Sequence, residues 1–468
     1  MGRFKKRKKV RDFEEYQEID ELLDKLQLKY GDTDVTYIIR NHLISLIRAK
    51  HNVGNSEIKI SNKILFRFLK SLVITGRQLF KKKSIWVFSN VERRKKIGRY
   101  YYDRVASIVS EKNKDVLFIE NPVIYSHKFP SKDIVLSEAF FFLGAFLFSK
   151  FKFDKNKLCI DSKLTNLSRN YEIKPNVLPV IKRFVGQYEF MSFFLKYFYK
   201  PKKNFSVYPN GYYGYNMAFK ENNIPIIELQ HGIIYPLHPS YNTILFDKSK
   251  PFKPDYIFTY GKKDKECLEG LNYLKKDNIF VVGSYGLQKL KENDGESVGQ
   301  YLQETIAKDE RIISVIATTN DIQELYDLAL DLEKKSSSNH KILILPRHPI
   351  KLPDTKIVKV LDTNKTNIFE VYNVSNYLLT KASTAALEAM YMGLPVFIYE
   401  LDNEPSLFRT NYPYLESLNY FNNTDDLVTK IYNKNYLYPT AEDIENIYSI
   451  NVYKNFCKAL EKVENDFI

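Results

Sequence analysis

Short apolar segments that alternate with helical segments are the feature that most constrains the fold of this chain. In the first half, the predicted strands cover residues 85–89 (IWVFS), 116–120 (VLFIE), 205–208 and 224–229, and the predicted helices cover 100–111 and 215–220. Strands and helices at this spacing form parallel βαβ units, because each helix returns the chain to the start of the next strand. We therefore predict a parallel α/β sheet that begins near residue 84.

A second series of the same kind follows. Its short apolar runs lie at residues 256–259, 279–282, 312–316, 342–345, 377–379 and 396–399. Two such series predict two Rossmann-like sheets. The chain is predicted to pass from one to the other at 245–262, where the segment 248–254 (KSKPFKP) has the composition of a linker. The predicted units are 1–83, a basic helical extension; 84–255 and 256–440, the two sheet domains; and 441–468, a C-terminal helix that could pack back on the first domain.

Charge and cysteine content limit the partners and the compartment. The sequence has 71 Lys and Arg against 56 Asp and Glu, a net charge of +15, and such a surface attracts nucleic acid, anionic lipid or phosphorylated substrates without choosing among them. Three separated cysteines, Cys159, Cys267 and Cys457, form neither a disulfide framework nor a zinc motif. With no apolar run long enough to span a bilayer and no signal peptide, they predict a cytoplasmic protein.

The N-terminal segment contains two sequence features that are typical of membrane-binding proteins. Residues 3–11 (RFKKRKKVR) are polybasic, and residues 63–83 contain no acidic residue. In the second segment, Lys and Arg recur near one helical face and Ile, Leu, Phe and Val occupy most other positions, as in a basic amphipathic helix. One interpretation is peripheral association with the inner face of the plasma membrane. The other is a helix that packs its apolar side on the first sheet domain.

The loop after residues 224–229 is the first candidate site. Parallel sheets place ligand-binding groups on loops at the carboxyl ends of their strands, and here the loop begins Gln230, His231 and Gly232, followed by His238 and Tyr241. A histidine titrates near neutral pH and can act as a general base. The alternative is a histidine that is hydrogen-bonded within a tight turn.

Three further loops offer groups that suit a phosphate. Arg347 and His348 follow residues 342–345 and can donate to an anionic oxygen. Lys381, Ser383 and Thr384 precede a predicted helix over 385–390, whose free N–H groups attract anions, and Glu388 one turn later could accept bonds from ribose hydroxyls. Gly283 and Ser284 form a turn after residues 279–282. Each pattern alone also occurs as an ordinary turn or helix cap. The inference therefore rests on the order and spacing of these loops along the chain.

Taken together, residues 205–400 resemble the GT-B glycosyltransferases of bacterial capsule, lipopolysaccharide and teichoic-acid assembly. The motifs that carry the resemblance are Ile227-Glu228-Leu229-Gln230-His231-Gly232, Arg347-His348-Pro349, and Ser383-Thr384-Ala385-Ala386-Leu387-Glu388-Ala389. It implies an α/β GT-B fold of two Rossmann-like domains facing a cleft, with 84–255 binding the acceptor and 256–440 the nucleotide sugar. It also implies that His348, Ser383 and Thr384 contact the donor phosphate, often that of a cytidine nucleotide in sialyl-, polysialyl- and Kdo-type enzymes.

The resulting hypothesis is a metal-independent glycosyltransferase. It would move a sugar from a nucleotide-sugar donor, CMP-linked in one version, to a hydroxyl of a saccharide or lipid-linked saccharide in capsule or lipopolysaccharide synthesis. His231 would be the base. The donor would be held by Gly283, Ser284, Arg347, His348, Lys381, Ser383, Thr384 and Glu388. The acceptor side would be lined by Gln230, Gly232, His238 and Tyr241. No cofactor is expected, and no metal, since the Asp32-Thr33-Asp34 motif lies in the extension.

Two alternatives of the same fold remain: a CDP-polyol phosphotransferase and a nucleotide-sugar epimerase. A nucleic-acid-binding protein is a remote alternative, motivated by the charge and by residues 3–11. No nucleic-acid partner is expected, because the sequence contains no recognised binding module.

Overall fold

The computed structural model describes residues 12–50, 62–121, 126–236, 238–292, 299–307, 309–335, 339–401 and 406–466. The polybasic residues 3–11 therefore lie outside the described residues. The described strands, numbered in chain order, are β1 (Leu28–Tyr30), β2 (Thr33–Asp34), β3 (Ile85–Asn90), β4 (Arg94–Ile97), β5 (Tyr100–Asp103), β6 (Val116–Asn121), β7 (Val135–Ser137), β8 (Leu158–Ile160), β9 (Lys203–Ser206), β10 (Ile226–Leu229), β11 (Tyr256–Thr259), β12 (Ile279–Val281), β13 (Arg311–Ala317), β14 (His340–Pro346), β15 (Val358–Val360), β16 (Tyr377–Thr380), β17 (Val396–Tyr399) and β18 (Asn419–Phe421).

Helices connect most of these strands, as the alternating pattern predicts. They are α1 (Asp12–Asp24), α2 (Thr36–Lys50), α3 (Asn62–Thr75), α4 (Ser107–Lys112), α5 (Ala139–Lys152), α6 (Leu164–Asn170), α7 (Val177–Tyr197), α8 (Tyr213–Glu221), α9 (Phe246–Ser249), α10 (Lys262–Gly270), α11 (Tyr285–Glu292), α12 (Gln300–Thr305), α13 (Ile322–Lys335), α14 (Ile368–Val374), α15 (Ala385–Tyr391), α16 (Leu407–Asn411), α17 (Thr424–Tyr432), α18 (Ala441–Ile447) and α19 (Val452–Asn465).

The first sheet is parallel, with the strand order β12-β11-β10-β9-β3-β6-β7. The strand order reverses direction between β3 and β9, so the carboxyl ends of these strands border a crevice, the usual ligand position in such sheets. β11 and β12 belong to this sheet, whereas the sequence prediction placed residues 256–259 and 279–282 in the second domain. The prediction relied on the proline-containing segment 248–254, which instead leads directly from α9 into β11.

The second sheet is also parallel, with the order β15-β14-β13-β16-β17-β18. Here the order reverses between β13 and β16. The loop after β16 begins with Lys381 and contains Ser383, so the predicted phosphate segment lies at the switch point of this sheet. Among the described helices, none is long and apolar enough to cross a membrane.

Apolar side chains bury both faces of the first sheet. One face packs against α4 and α19, where Phe456 of α19 contacts Phe205 of β9 and Phe258 of β11. The other face packs against α5, α7 and α8 through an aromatic cluster around Trp86 and Phe141. The last helix of the chain is therefore part of the first domain, although it follows the second sheet.

The N-terminal helices α1 and α2 are also built into the first domain. Their apolar residues share a core with α7 and with Phe252. Arg40 of α2 is fully buried, pairs with Asp20 of α1, and donates to the backbone oxygens of Pro239 (2.7 Å) and Asn242 (2.6 Å). This segment thus holds the loop that follows His231, a role that the view of residues 1–83 as an extension did not predict.

One helix begins later in the structure than the sequence predicts. Residues 100–111 were predicted to be helical, but Tyr100–Asp103 form β5, which pairs with β4 in an antiparallel hairpin, and α4 starts only at Ser107. Buried Arg94 fixes the hairpin by pairing with Glu120 and Asp133. These partners are distant in sequence, so local periodicity could not reveal the hairpin.

Candidate active site

A narrow cleft lies between the carboxyl edges of the two sheets. Both domains and the C-terminal segment contribute to its walls, which comprise Arg104, Gln230, His231, Gly232, Ile233, Tyr260, Asp264, Thr384, Leu387, Glu388, Tyr412, Tyr414, Asn446, Ile447 and Tyr448. The cleft therefore brings together His231, Gln230 and Gly232 from the first domain and Thr384 and Glu388 from the second. It encloses only about 40 Å³, less than sites that bury a small molecule, which usually measure roughly 300–1,000 Å³.

Gln230 fixes the loop that presents His231. The Gln230 side chain is buried; its Oε1 accepts from the backbone N–H of Tyr260 (2.5 Å) and its Nε2 donates to the Gly232 oxygen (2.9 Å). Arg93 donates to the backbone oxygen of His231 (3.0 Å). The backbone of the loop is thus held from both sides.

One ring nitrogen of His231 makes no hydrogen bond to the described residues. Its Nδ1 is buried and has no hydrogen-bond partner among the described residues, and its ring packs edge-on against Tyr208, with centroids 5.6 Å apart. Burial, followed by the positive charges of Arg93, His238 and Arg104, lowers the pKa of His231 to about 3. The ring is therefore neutral at physiological pH, the form that can accept a proton.

Asp264 is a second titratable group in the cleft, and the sequence analysis did not single it out. It lies in the first turn of α10, where its carboxylate accepts from the backbone N–H of Gly261 (3.3 Å) and bonds with Gln230. Burial raises the pKa of Asp264 to about 7. Carboxyl groups raised to this range are typical of acid–base sites, but its helix-cap position gave no sequence signal for one.

Three basic residues form a cationic wall of the first domain beside the cleft. They are Arg93, Lys95 and Arg104, and we call them the basic wall. Burial and the charges of Arg104 and Lys128 lower the pKa of Lys95 to about 8. The run Glu92-Arg93-Arg94-Lys95-Lys96 directly follows β3, at the switch point of the first sheet. That position after a strand is the sequence signal by which the basic wall could be predicted.

Glu388 connects the basic wall to the second domain. Its Oε1 pairs with Arg104 (3.2 Å) and its Oε2 accepts from the Tyr372 hydroxyl (3.0 Å). The Glu388 carboxylate in turn raises the pKa of Arg104. Both carboxylate oxygens are therefore engaged in this closed arrangement, and a ribose hydroxyl could bind Glu388 only by displacing one of them.

The loop after β16 shows how the second domain presents its hydroxyls. Thr384 is exposed and lines the cleft. Ser383 is partly buried; its Oγ accepts from the Ala385 N–H (3.3 Å), while its own N–H donates to Thr380 Oγ1 (3.3 Å). Lys381 pairs with Glu324 of α13 (2.7 Å), so its charge is already neutralised, which the sequence prediction of a free phosphate ligand did not anticipate.

Arg347 and His348 lie one strand away from this switch point. Both are exposed and follow β14, the neighbour of β13. The Arg347 N–H donates to the oxygen of Ala317 (3.1 Å) at the end of β13. Neither side chain lines the narrow cleft, so these residues share the carboxyl edge with Ser383 and Thr384 but do not meet His231.

The remaining predicted residues have structural contacts. Gly283 and Ser284 follow β12 of the first sheet, and Gly283 packs against the backbone of Ser449 and the side chain of Val452. Tyr241 is buried and donates from its hydroxyl to Glu228 (2.9 Å). His238 Nδ1 accepts from the Ser240 N–H (3.2 Å). None of these four is among the residues that line the narrow cleft.

The Asp32-Thr33-Asp34 motif does not line the cleft; Asp34 Oδ1 instead accepts from the Thr36 N–H (2.8 Å) at the start of α2. Among the described residues, no three His, Cys, Asp or Glu side chains are grouped so that they could hold a metal ion.

No family model and no curated protein sequence matches this chain. Solved structures do match. A histidine-to-asparagine variant of the wall teichoic acid polymerase TagF, soaked with CDPG, has a TM-score of 0.52 at 12% identity, over 87% of this chain and 99% of that chain. The same variant without the soak has a TM-score of 0.51 at 12% identity, over 87% and 98%.

A UDP-GlcNAc 2-epimerase from Neisseria meningitidis bound to UDP-GlcNAc has a TM-score of 0.49 at 13% identity, over 81% and 100%. At such identities, likeness shows the fold alone. The TagF matches and the two parallel sheets confirm the predicted α/β GT-B fold.

Proposed function

We propose that this protein is a glycosyltransferase that moves a sugar from a nucleotide-activated donor to a saccharide hydroxyl. The observation that carries the proposal is the cleft, where the neutral, buried imidazole of His231 faces a hydroxyl-bearing loop at the switch point of the other sheet. The resemblance of these motifs to enzymes of capsule and lipopolysaccharide assembly favours a bacterial surface polysaccharide as the product.

The donor binds the second domain in this proposal. Thr384, Ser383, Arg347 and His348 lie on loops at the carboxyl ends of β16 and β14, on either side of β13. Hydroxyl, guanidinium and imidazole donors at such an edge suit the phosphate of an activated sugar. They would stabilise the negative charge that grows on the departing nucleotide.

The acceptor binds the first domain, with its hydroxyl at His231. In the inverting reaction, the acceptor oxygen bonds to the anomeric carbon as the bond between that carbon and the phosphate oxygen breaks. The proton of the hydroxyl moves to His231, and the electron pair leaves with the nucleotide phosphate. The lowered pKa of His231 rises when an anion binds near it, because a negative charge stabilises the imidazolium. In a retaining reaction the leaving phosphate assists instead, and His231 positions the acceptor.

The two domains must separate to admit these substrates. A cleft of about 40 Å³ cannot contain a nucleotide sugar, and the pair of Arg104 and Glu388 closes it across the domains. When the donor enters, its phosphates compete with Glu388 for Arg104 and its ribose hydroxyls compete with Arg104 for Glu388. Substrate binding would therefore exchange this interdomain pair for contacts with the donor.

The basic wall favours one second candidate, a CDP-polyol phosphotransferase. Arg93 and Lys95 of this wall offer an anion-binding surface on the acceptor side, which suits an acceptor that itself carries phosphate. The TagF variant of similar fold was soaked with CDPG. Both reactions use the same leaving-group site, so the products distinguish them.

We place this reaction in the cytoplasm. Cys159 and Cys457 are exposed, Cys267 is partly buried, and all three are free thiols, as expected for a protein kept in a reducing compartment.

Calorimetry with CMP, CDP, UDP and GDP tests the donor site. We expect His348→Ala, and Ser383→Ala combined with Thr384→Ala, to weaken binding of the preferred nucleotide by about 1.5–3 kcal/mol for each charge-assisted bond lost. Thr429→Ala, an exposed hydroxyl on α17 of the same domain, is the matched control and should bind normally. Unchanged nucleotide affinity in both test variants would reject the assignment of these loops.

A further inference from the structure

The helix α3 packs with its polar side against the protein and its apolar side outward, the reverse of an ordinary surface helix. Its small polar residues face the protein: Ser71 Oγ bonds to Ser137 Oγ (2.8 Å), and Thr75 Oγ1 accepts from the Ser137 N–H (2.9 Å). Its large apolar residues face outward, with Phe66 66% and Val73 84% exposed. A helix that packs on its own domain buries its apolar stripe instead.

The exposed apolar stripe continues onto two neighbouring helices. On α5, Phe142 and Phe146 are exposed, and Phe151 is 82% exposed. Phe142 contacts Phe68 of α3, with centroids 6.2 Å apart. Phe148 of α5 contacts Phe193 of α7 at 5.4 Å. The exposed side chains of α3, α5 and the end of α7 thus form one surface, which we call the apolar face.

The surroundings of the apolar face are mainly basic, and the acidic neighbours Asp115 and Glu464 pair with Lys83 and Lys203 at the ends of its segments. The segments 62–83, 139–152 and 190–203 supply it, and every charged residue in them is Lys or Arg. Lys150 lies over the Phe146 ring at 4.6 Å and Lys196 over the Tyr197 ring at 5.1 Å. Such lysines keep their aliphatic stems on the apolar surface and extend their ammonium groups beyond it.

We propose that the apolar face inserts into the headgroup region of an anionic lipid bilayer. A continuous exposed aromatic surface needs an apolar partner, and its mainly basic rim is complementary to anionic phospholipid headgroups. A second copy of the chain fits less well, because the two basic rims would repel each other. This proposal does not depend on the proposed chemistry, since no residue of the apolar face lines the cleft.

Vesicle sedimentation tests the proposal with the whole chain. Phosphatidylcholine vesicles are used with and without phosphatidylglycerol. We expect the wild-type protein to pellet with the anionic vesicles, less strongly as salt is raised. The double variant Val73→Glu with Phe151→Glu should lose binding by at least about tenfold, because its carboxylates would enter the bilayer interface. The control Leu437→Glu with Tyr438→Glu changes two exposed apolar residues of the second domain and should pellet normally.

Thermal unfolding and nucleotide binding of the double variant show whether it remains folded. Wild-type protein that stays in the supernatant at low salt, or a folded double variant that pellets as well as the wild type, overturns the proposal. A third result would also contradict the proposal: the wild type is a dimer in sedimentation velocity, binds neither kind of vesicle, and becomes a monomer in the double variant. The apolar face would then be a contact between two copies of the chain.

Discussion

At the scale of single residues, His231 is placed by contacts that leave its ring nitrogen free. We predict that His231→Gln lowers turnover by about 10²-fold, the contribution of a general base. Nucleotide affinity should stay unchanged, because the donor loops are on the other domain. Steady-state kinetics and calorimetry measure the two effects separately.

His238→Gln is the matched control for that substitution, since His238 lies in the same loop, does not line the cleft, and accepts at Nδ1 from the Ser240 N–H. An equal loss of turnover in both variants would indicate a disturbed loop rather than a lost base. Normal turnover in His231→Gln would remove His231 from catalysis.

Asp264 makes the stability of the protein depend on pH. Burial raises its pKa to about 7, whereas an aspartate in an unfolded chain titrates near about 3.9. Between these values the folded state holds a proton that the unfolded state has released, so the free energy of unfolding falls as pH rises from about 4 to about 7. We predict that Asp264→Asn removes this component.

Urea denaturation at pH 5 and pH 8 measures the component. The free energy of unfolding of Asp264→Asn, relative to that of the wild type, should increase from pH 5 to pH 8. The exposed-site control Asp277→Asn should show no such change. A pH dependence identical in Asp264→Asn and wild type would contradict the buried, protonated carboxyl.

The sequence motifs identified part of this site and missed another part for a physical reason. Gln230 and His231 directly follow β10, Thr384 lies in the loop after β16, and Glu388 lies in the first turn of α15, where local pattern is informative. Asp264 and the basic wall reach the cleft through tertiary packing, which local patterns do not encode. Lys381 has the right position, but its partner Glu324 lies 57 residues away.

At the scale of secondary-structure elements, the strongly apolar strands were predictable nearly to their ends. β13, β14, β16 and β17 each contain the predicted run, because a strand buried on both faces is apolar throughout. The strands β15 and β18 were not predicted: they are short edge strands, with partly exposed residues. Which sheet β11 and β12 would join was also not predictable, since a three- or four-residue apolar strand contains no information about its neighbour.

Gly283 permits the close contact that joins β12 to the C-terminal segment. It has a φ of +104°, and a Cβ there would lie 2.5 Å from the Ser449 oxygen and 2.8 Å from Val452 Cγ2. We predict that Gly283→Ala destabilises the protein by on the order of 2–4 kcal/mol, from backbone strain and overpacking together.

The control for this substitution is Gly270→Ala in α10, where a Cβ would meet nothing within 4 Å. Chemical denaturation should show little loss, or a small gain, for the control. Equal stability of Gly283→Ala and the wild type would mean that the C-terminal segment can shift away from β12 without cost.

At the scale of the whole molecule, the chain crosses between the two sheets and returns. It leaves the first sheet after β12 through α11, whose Leu287 and Leu290 pack in the second core, and it returns through α18 and α19. The returning segment packs closely against Gly261, where a Cβ would lie 2.3 Å from the Asn446 and Ile447 oxygens. In the proposed function, the domains would separate about these two crossings.

Product analysis shows whether this cleft transfers a sugar from a nucleotide to an acceptor hydroxyl. Wild type and His231→Gln are incubated with CMP-, CDP-, UDP- and GDP-activated sugars and an oligosaccharide acceptor, and the products are identified by mass spectrometry. We expect one donor to give free nucleotide together with an acceptor enlarged by one sugar, at a rate that falls about 10²-fold in His231→Gln. Conversion of a donor sugar to its epimer without acceptor, transfer of a polyol phosphate when CDP-polyols are supplied in place of the sugars, or no consumption of any donor would contradict this expectation.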